Sequence, residues 1–509
     1  MTNGSSRTAD SNVPVSLLDT DLYKLTMQNA VFKMYPDAHS EYKFTNRAPE
    51  MLFSRRCYDW AKDQVQALSK LRLLPAERRY LEEHCPYFHT DYLDFVENLK
   101  LDPENQVQVT FKPQADRASS AEETTQGQAS GEERDAKRRK VQDANESSAG
   151  EMGLIEMDIQ GPWRDCILYE VPLMSISLAK QKTLTLLTES SGCILFSEFG
   201  TRRRRSYKIH DAVVKGLIDG NKEWAETEDG KRIMAENDGK KPGGLAGTSN
   251  VRISKKGKMW LLRGSGSQVF LAMQYGLRPV GTIAHEWIMA IGAKEDYDSP
   301  NLKAMDAWEK VYPANGSSPL HTMLTDTYTI KTFFDEFTSD WERALRWNGL
   351  RHDSGDPLTF ARAVKDAWTD VAAKSGKLAD QVIKGKKVIF SDGLDVPESL
   401  RIWRECEKIG IDGKHTVCRV NLYPNDTRFA IASFGIGTNL TNDFHKSSDP
   451  ATKSKPLNIV IKLRRIDGLE CVKLTDDKGK YTGKPDEVSR VLKKLKGEKA
   501  AEEVSAETK

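Results

Sequence analysis

The sequence predicts an α/β protein with a parallel sheet that is either open or closed into a barrel. From about residue 192 onward, a short apolar run repeatedly ends in a cluster of Gly, Ser, Asp, Arg or His, and a helix-like stretch follows. Repeated strand–helix units of this kind favour parallel strands. With 509 residues, the chain is long enough for two or three domains and a large core.

Six strand–helix units carry this pattern. The polar clusters at their ends are expected to converge on one face, because the carboxyl ends of parallel strands lie at the same edge of a sheet. The runs predicted as strands are Cys193–Phe199, Pro279–Ala284, Met323–Thr325, Trp347–Leu350, Lys387–Phe390 and Ala430–Phe434.

The part of the chain before these units mixes helical and strand patterns, which predicts an α+β domain. A helix is expected to begin within Val15–Met27, with Asp19 or Thr20 as its N-cap. The further helices predicted here are Leu52–Leu73 and Pro75–Leu99, and the strands are Glu41–Phe44, Gln106–Phe111 and Leu154–Ile159.

Three domains are therefore predicted. They are an N-terminal α+β domain (14–175), an α/β-barrel domain (176–480), and a C-terminal helix with a charged tail (481–509). Residues 112–150 have almost nothing to bury and are predicted to be a disordered insertion. The basic run Lys137–Lys140 in this insertion fits a solvated charge cluster better than a nuclear-import signal, which stays open as the alternative.

Composition excludes several classes of protein. A formal net charge of +2 provides no global field that would recruit nucleic acid or an anionic membrane. The seven cysteines show neither zinc-site nor disulfide spacing, as is typical of a reducing compartment. The chain has no apolar run of signal-peptide type at its start and none long enough to cross a bilayer. We therefore expect a soluble cytoplasmic protein.

His285 directly follows one predicted strand and begins a helix-like segment. Taken alone, it fits a packed core histidine better than a site residue. The other strand ends provide arginines, carboxylates and two glycine-bearing turns, a set that suits a phosphorylated anionic substrate. Backbone N–H groups in Ser391–Gly393 and at Gly437–Thr438 are candidates to bind phosphate oxygens, although the first glycine turn could equally be an ordinary β-turn.

Two further motifs have alternative interpretations. Asp353 and Asp356 flank a Ser-Gly turn and suit sugar hydroxyls or a divalent ion, whereas the structural alternative is a helix N-cap followed by Pro357. The run Arg202–Arg205 lacks the interleaved aromatic residues and basic surroundings of a nucleic-acid surface. An inward-pointing Arg202 that binds a carboxylate or phosphate explains it better. No Walker A motif is present.

Taken together, seven ordered motifs resemble the nicotinate phosphoribosyltransferase family, of the fungal type. The resemblance runs from about residue 14 to 497, apart from the insertions. The motifs are Thr20–Lys24, Phe196–Arg203, Gly247–Val251, Gly281–Glu286, Leu350–Pro357, Phe390–Asp395 and Phe434–Thr438.

This resemblance implies a type II phosphoribosyltransferase fold, an irregular α/β barrel joined to an N-terminal α+β domain. It also implies that nicotinate and 5-phosphoribosyl 1-diphosphate give nicotinate mononucleotide and pyrophosphate in NAD salvage. The implied reaction consumes ATP as a co-substrate, needs Mg²⁺, and passes through a phosphohistidine, in the manner of an ATP-coupled ligase. No metal-ligating residue is assigned.

The resemblance further implies roles for individual residues. His285 matches the phosphohistidine, Asp326 is the candidate for orienting it, and Asp353 resembles the carboxylate that holds the ribose. Tyr23 matches an aromatic residue that stacks on the pyridine ring from a neighbouring subunit, which would require a homodimer.

The remaining implied roles concern binding. Arg202 and Arg351 look like the residues that cradle the ring and its carboxylate, and a neutral Ser249 would favour the acid over the amide. The residues implied to bind phosphate groups are Arg47, Ser391, Gly393, Gly437 and Thr438.

Two junctions depart from the family pattern. Arg252–Phe270 interrupts one motif, and a helix and loop expected after Ile176 are missing. Wrongly assigned exon boundaries explain both better than a divergent enzyme does. If the sequence is literal, the chain could be a catalytically impaired scaffold or regulator. A related phosphoribosyltransferase acting on nicotinamide or quinolinate is a further alternative.

Overall fold

Two sheets with helices packed around them form the part of the chain that the structure describes. The structure is a computed structural model that describes residues 16–46, 52–113, 151–170, 195–201, 204, 207–236, 244–245, 265–266, 269–281, 283–314, 320–411, 431–441, 459–476 and 481–497. None of the helices in these segments combines the length and the apolar character needed to span a bilayer.

The strands of these segments are numbered in chain order. They are β1 (His39–Asn46), β2 (Phe53–Ser54), β3 (Val107–Pro113), β4 (Met152–Pro162), β5 (Leu195–Glu198), β6 (Gly244–Leu245), β7 (Ser265–Gly266), β8 (Arg278–Pro279), β9 (Thr322–Leu324), β10 (Gly349–His352), β11 (Lys387–Phe390), β12 (Ile431–Ile436), β13 (Ile459–Ile466) and β14 (Leu469–Glu470).

The α-helices of the same segments flank these strands. They are Leu22–Met34, Arg55–Ala67, Pro75–His84, Thr90–Asn98, Pro103–Gln106, Trp163–Cys166, Tyr207–Glu226, Glu228–Glu236, Val269–Tyr275, His285–Lys294, Pro300–Val311, Ile330–Ser339, Trp341–Arg346, Pro357–Lys374, Ala379–Ile383, Val396–Ile409, Thr438–Thr441 and Pro485–Lys496.

A parallel sheet carries the predicted strand–helix units. Its strands lie in the order β8-β7-β5-β12-β11-β10-β9, with β6 paired to β5, and every pairing is parallel. Among the described strands no pairing joins β8 to β9, so the sheet is open there. The predicted parallel architecture is confirmed, and the described pairings do not close it into a barrel.

The helix after β10 shows why the polar ends of these strands are held in place. It begins at Pro357, and Asp356 caps it by accepting a hydrogen bond of 2.7 Å from the Thr359 N–H. One face of this helix is apolar at helical spacing and packs into the core. The buried residues of that face include Phe360, Val364, Trp368 and Val371.

A second, antiparallel sheet has the order β14-β13-β1-β4-β2, and β3 pairs with β4. Its strand β13 comes from residues that were predicted to belong to the barrel domain, yet it pairs with β1 from Ser40 to Asn46, with one register shift between Glu41 and Tyr42. The C-terminal part of the chain therefore returns to complete the N-terminal sheet.

The start of the first helix differs from the prediction. The helix begins at Leu22, and its N-cap is Asp21, which makes no capping bond with its side chain. The expectation that Asp19 or Thr20 caps it is wrong. Asp19 is instead buried in an ion pair with Arg204, a charge partner distant in the sequence. Arg204 therefore points inward.

Other N-terminal elements follow the prediction with shifted ends. The predicted helix Leu52–Leu73 is Arg55–Ala67 followed by a 3₁₀ turn at Leu68–Lys70. The predicted helix Pro75–Leu99 is divided into two helices, of which the first ends at His84. Lys112 and Pro113 belong to β3, and the rest of the predicted insertion lies outside the described residues.

Candidate functional site

A cavity of about 610 Å³ opens at the carboxyl ends of the parallel strands. It collects most of the site residues that the sequence predicted and the structure describes. These lining residues are Tyr23, His285, Arg351, Asp353, Ser391, Gly393, Gly437 and Thr438. Arg47, Arg202 and Ser249 lie outside the described residues.

The loop before His285 is held against the N-terminus of the first helix. A side-chain carbon at Gly281 would lie 2.5 Å from the backbone nitrogen of Tyr23, closer than real Cβ contacts come. Only glycine therefore lets these two segments approach so closely. The contact brings Tyr23 into the same cavity as His285 within one chain. A contribution of Tyr23 to a second subunit stays a prediction.

His285 is the first residue of its helix, and its imidazole has polar partners at both nitrogens. The Nδ1 atom lies 3.0 Å from Thr327 Oγ1, and Nε2 lies 3.2 Å from Asp353 Oδ2. The Nζ atom of Lys473 lies 3.0 Å from the same Nε2. Burial, together with the Lys473 charge, lowers the pKa of His285 below its usual 6.5 and favours the neutral ring.

Asp326 lies behind the imidazole and is completely buried. Its Oδ1 atom is 3.8 Å from His285 Nε2, beyond hydrogen-bond distance. Its Oδ2 atom accepts hydrogen bonds from Ser354 Oγ at 2.7 Å and from Lys473 Nζ at 3.1 Å. Although burial opposes ionisation, the interactions with His285 and Lys473 lower the pKa of Asp326. The carboxylate in contact with the ring is Asp353, and Asp326 reaches it through Lys473.

His285, Asp326 and Asp353 place one ligand-type atom each within 4.8 Å of one another. Such a trio could in principle hold a divalent cation. Here the ammonium of Lys473 contacts two of its members, at 3.0 and 3.1 Å. Because Lys473 already offsets Asp326 and Arg351 offsets Asp353 at 3.1 Å, the trio does not fit a resident metal ion while these two cations are in place.

Arg351 and Asp353 form the charged floor of the cavity at the end of β10. Arg351 Nη2 donates to Asp353 Oδ1 at 3.1 Å, and Arg351 Nε donates to Ser391 Oγ at 2.8 Å. The Arg351 guanidinium also lies 5.6 Å from the ring centroid of Phe199. Although Asp353 loses hydration, the Arg351 charge and the hydrogen bond with His285 hold the pKa of Asp353 well below the usual range.

Two turns after β11 and β12 lie side by side at the cavity wall. Gly393 has φ +59°, a left-handed conformation that favours glycine. The Asn439 side chain donates to the carbonyls of Gly393 and Leu394, at 3.1 and 2.9 Å, and so ties the two turns together. The backbone N–H of Ser391, which the sequence suggested as a phosphate donor, already donates to the His352 carbonyl at 3.1 Å.

Asp356 does not share the surroundings of Asp353, although the two lie in one motif. It is exposed and caps the following helix, as the structural alternative predicted. It does not line the cavity described above. Of these two carboxylates, only Asp353 is therefore placed in the cavity where a substrate hydroxyl group could bind.

Several residues at or beside the cavity were not identified from the sequence. Lys473 is the most consequential, since it contacts both His285 and Asp326. The sequence contains one feature that could have identified this lysine, since it lies between Val472 and Leu474 and interrupts an otherwise apolar run. Phe199, Thr327 and Asn439 were also given no role from the sequence, although Thr327 directly follows Asp326 and Asn439 directly follows Thr438.

The arrangement combines groups that suit transfer of a phosphorylated sugar. A guanidinium and paired turns can hold anionic groups, and a fixed carboxylate can face positive charge as it develops. A neutral, partly exposed imidazole can act as a nucleophile or base.

Comparison with known proteins identifies the family. The model of the nicotinate phosphoribosyltransferase (NAPRTase) family matches residues 194–499, and that of the NAPRTase N-terminal domain matches residues 18–122. A nicotinate phosphoribosyltransferase of Saccharomyces cerevisiae is 31% identical over 503 residues, which cover 94% of this chain and 94% of the relative.

Solved structures agree. The crystal structure of a Saccharomyces cerevisiae protein matches this structure with a TM-score of 0.68 at 29% identity. The match covers 96% of this chain and 99% of the yeast chain. The nicotinate phosphoribosyltransferase of Porphyromonas gingivalis has a TM-score of 0.64 at 29% identity, with coverages of 94% and 99%. These likenesses confirm the predicted fold. The chain belongs to the nicotinate phosphoribosyltransferase (NAPRTase) family.

Proposed function

We propose that this protein joins nicotinate to 5-phosphoribosyl 1-diphosphate, that ATP is a co-substrate, and that His285 is the residue that becomes phosphorylated. The observation that carries the proposal is the convergence of His285, Arg351, Asp353 and the two glycine turns on one cavity. The names of the relatives support the substrate pair. The ATP step comes from the family resemblance and from the neutral imidazole of His285.

In the proposed transfer, the pyridine nitrogen attacks the anomeric carbon of the sugar. A carbon–nitrogen bond forms, the bond from carbon to the diphosphate oxygen breaks, and pyrophosphate leaves with the electron pair. Positive charge grows on the sugar ring during this exchange. Asp353, held by Arg351 at 3.1 Å, is placed to face that charge.

The anionic groups of the substrates have matching partners. Arg351 suits the carboxylate of nicotinate or a phosphate oxygen, because a guanidinium binds both with paired hydrogen bonds. The turns at Gly393 and at Gly437–Thr438 are proposed to receive the 5′-phosphate. When bound, Mg²⁺ supplies charge neutralisation to the diphosphate, and its ligands would come mainly from the phosphates.

Four further assignments rest on the resemblance. Arg47 is proposed to contact pyrophosphate, Arg202 to bind nicotinate, and Ser249 to favour nicotinate over nicotinamide. Tyr23 is proposed to stack on the ring of a partner subunit, which requires a homodimer. We also propose a cytoplasmic location, with nuclear import through Lys137–Lys140 as the alternative.

The test is to supply nicotinate, nicotinamide or quinolinate with the diphosphate sugar and Mg²⁺, with and without ATP, and to quantify each mononucleotide. We expect product from nicotinate, stimulated by ATP in the wild type and no longer stimulated in His285→Ala. Preference for another pyridine would overturn the substrate assignment. A wild-type protein silent with all three would favour the impaired scaffold.

A further inference from the structure

The imidazole of His285 is flanked by two carboxylates, which is an unfavourable setting for a phosphate acceptor. Asp353 Oδ2 lies at 3.2 Å and Asp326 Oδ1 at 3.8 Å from its Nε2 atom. Two negative charges at such distances favour the protonated, non-nucleophilic ring. They would also repel a phosphoryl group, which adds about two negative charges.

Lys473 is placed to cancel this effect. Its side chain is nearly buried, and its ammonium contacts both Asp326 Oδ2 and His285 Nε2. Arg351 offsets Asp353 in the same way, at 3.1 Å. With both cations present, the charges around a neutral imidazole balance. Without Lys473, one carboxylate beside the ring is left uncompensated.

The backbone around Lys473 fixes it in this position. The Leu474 N–H donates to the carbonyl of Thr327 at 2.8 Å, which joins the Lys473 segment to the loop that also bears Asp326. The Lys473 N–H and carbonyl pair with Thr482 at 2.9 Å. A residue from the C-terminal segment is thus brought to the proposed phosphate acceptor.

We propose that Lys473 is a positioning residue that keeps His285 unprotonated and provides the counter-charge for its phosphorylated form. This inference rests on the proposed function, and it assigns a role to a residue outside the seven motifs. In the step concerned, a lone pair of the neutral ring attacks the terminal phosphorus of ATP. The nitrogen–phosphorus bond forms, the bond to the bridging oxygen breaks, ADP leaves with the electron pair, and the ring proton stays on the other nitrogen.

The experiment measures acid-labile phosphate on His285 after incubation of the full chain with Mg²⁺ and γ-labelled ATP, as a function of pH. The groups that face His285 are Asp326, Asp353 and Lys473, together with the hydroxyl of Thr327. The neighbouring Glu286 is turned away to Lys24.

Two variants, Lys473→Met and Lys473→Gln, remove the charge of Lys473. Because the glutamine can still donate a hydrogen bond to Asp326, this second variant guards against a failure to fold. Lys473→Arg keeps the charge.

We expect label in both neutral variants to fall at least about tenfold, as for loss of one charged partner. The acidic limb of labelling should also move up by about one pH unit or more, because the remaining carboxylates would favour protonation of the ring. Lys473→Arg should recover part of both effects. The matched control is Lys310→Met, which removes an exposed ammonium that pairs with Asp306 at 2.6 Å.

Each outcome decides something. If a folded neutral variant carries as much label as the wild type, with the same decline at acidic pH, the role of Lys473 is overturned and the proposed function stays intact. Equal losses in Lys473→Arg and Lys473→Met would show that shape rather than charge matters, and would also overturn it. Absence of label from the wild type would overturn the phosphohistidine proposal itself and this inference with it.

Discussion

Asp353 and Asp356 lie three residues apart, and the environment of each one decides its role. Asp353 has Arg351 and His285 as charge partners within the cavity, whereas Asp356 is exposed and caps a helix. The motif alone left both roles open for both residues. Sequence reasoning can name such a pair, but only the contacts of each carboxylate separate a substrate group from a cap.

The first prediction compares the same chemical change at these two positions. Asp353→Asn should lower kcat by about 100-fold, because it removes a fixed charge from the developing positive centre. Asp356→Asn should leave kcat unchanged and shift stability by no more than about 0.5 kcal/mol, since asparagine caps helices as well as aspartate does. Steady-state kinetics and thermal unfolding check both. Equal kinetic effects would contradict the assignment.

The second prediction concerns pH. Because burial and Lys473 lower the pKa of His285 below 6.5, the folded ring stays neutral where an exposed histidine has begun to protonate. The midpoint of label transfer from ATP should therefore lie below pH 6.5. By linkage, this group's contribution to stability is also lost as pH falls below 6.5, since the unfolded chain then binds the extra proton. A midpoint of labelling above 6.5 would contradict the environment described.

At the scale of elements, local patterns predicted most of the longer strands of the parallel sheet, but of the predicted strand Pro279–Ala284 only Pro279 lies in a strand, β8. The predicted run Lys387–Phe390 is the observed β11. Apolar alternation and the polar residues that follow are local properties, so a single sequence contains them. The predicted N-cap of the first helix was wrong because a contact between residues distant in the sequence decides it. The partner of Asp19 is Arg204, 185 positions away, and no local pattern reports that ion pair.

A buried network joins the first helix to the helix that begins at His285. Lys24 Nζ lies 2.5 Å from Glu170 and 2.7 Å from Glu286, and its own side chain is completely buried. Glu286 also accepts hydrogen bonds from Tyr42 OH and from Trp163 Nε1 at 2.8 Å. Burial by itself would lower the pKa of Lys24, but the charges of these carboxylates outweigh it and raise the pKa well above its usual value. This network should hold the His285 helix in position.

The third prediction tests that network. Lys24→Met should lower the free energy of unfolding by about 3–5 kcal/mol, because it leaves buried carboxylates without their cation. The control Lys310→Met removes an exposed partner of Asp306, and it should cost less than about 1 kcal/mol. Urea denaturation measures both. A loss at Lys24 as small as that at Lys310 would show that the network does not stabilise the fold.

At the scale of the whole molecule, the chain crosses between its two sheets more than once. The sequence predicted an N-terminal α+β part and a parallel α/β part, but it assigned residues 459–470 to the latter. In the structure β13 pairs with β1 from Ser40 to Asn46. Strand order depends on contacts between segments distant along the chain, which the periodicity of one strand does not encode. Lys473 follows this returning strand, and for the same reason its position beside His285 could not be predicted from the sequence.

The fourth prediction follows from that topology. A chain ending at residue 458 should lose protection of those β1 amides that bond to β13, because that strand is gone, whereas β4 still pairs with β1 from His39 to Lys43. A chain ending at Gly497 keeps every contact described above and should behave like the full protein. Hydrogen exchange followed by mass spectrometry compares the two chains. Full protection of β1 in the shorter chain would contradict the pairing with β13.

The most direct test of the whole account is a crystal structure of the protein with bound 5-phosphoribosyl 1-diphosphate. We predict the 5′-phosphate against the backbone of Gly393 and Gly437–Thr438, with the ribose beside Asp353 and the diphosphate on the side of His285. A sugar phosphate bound outside this cavity, with Asp353 and His285 facing only solvent, would contradict it.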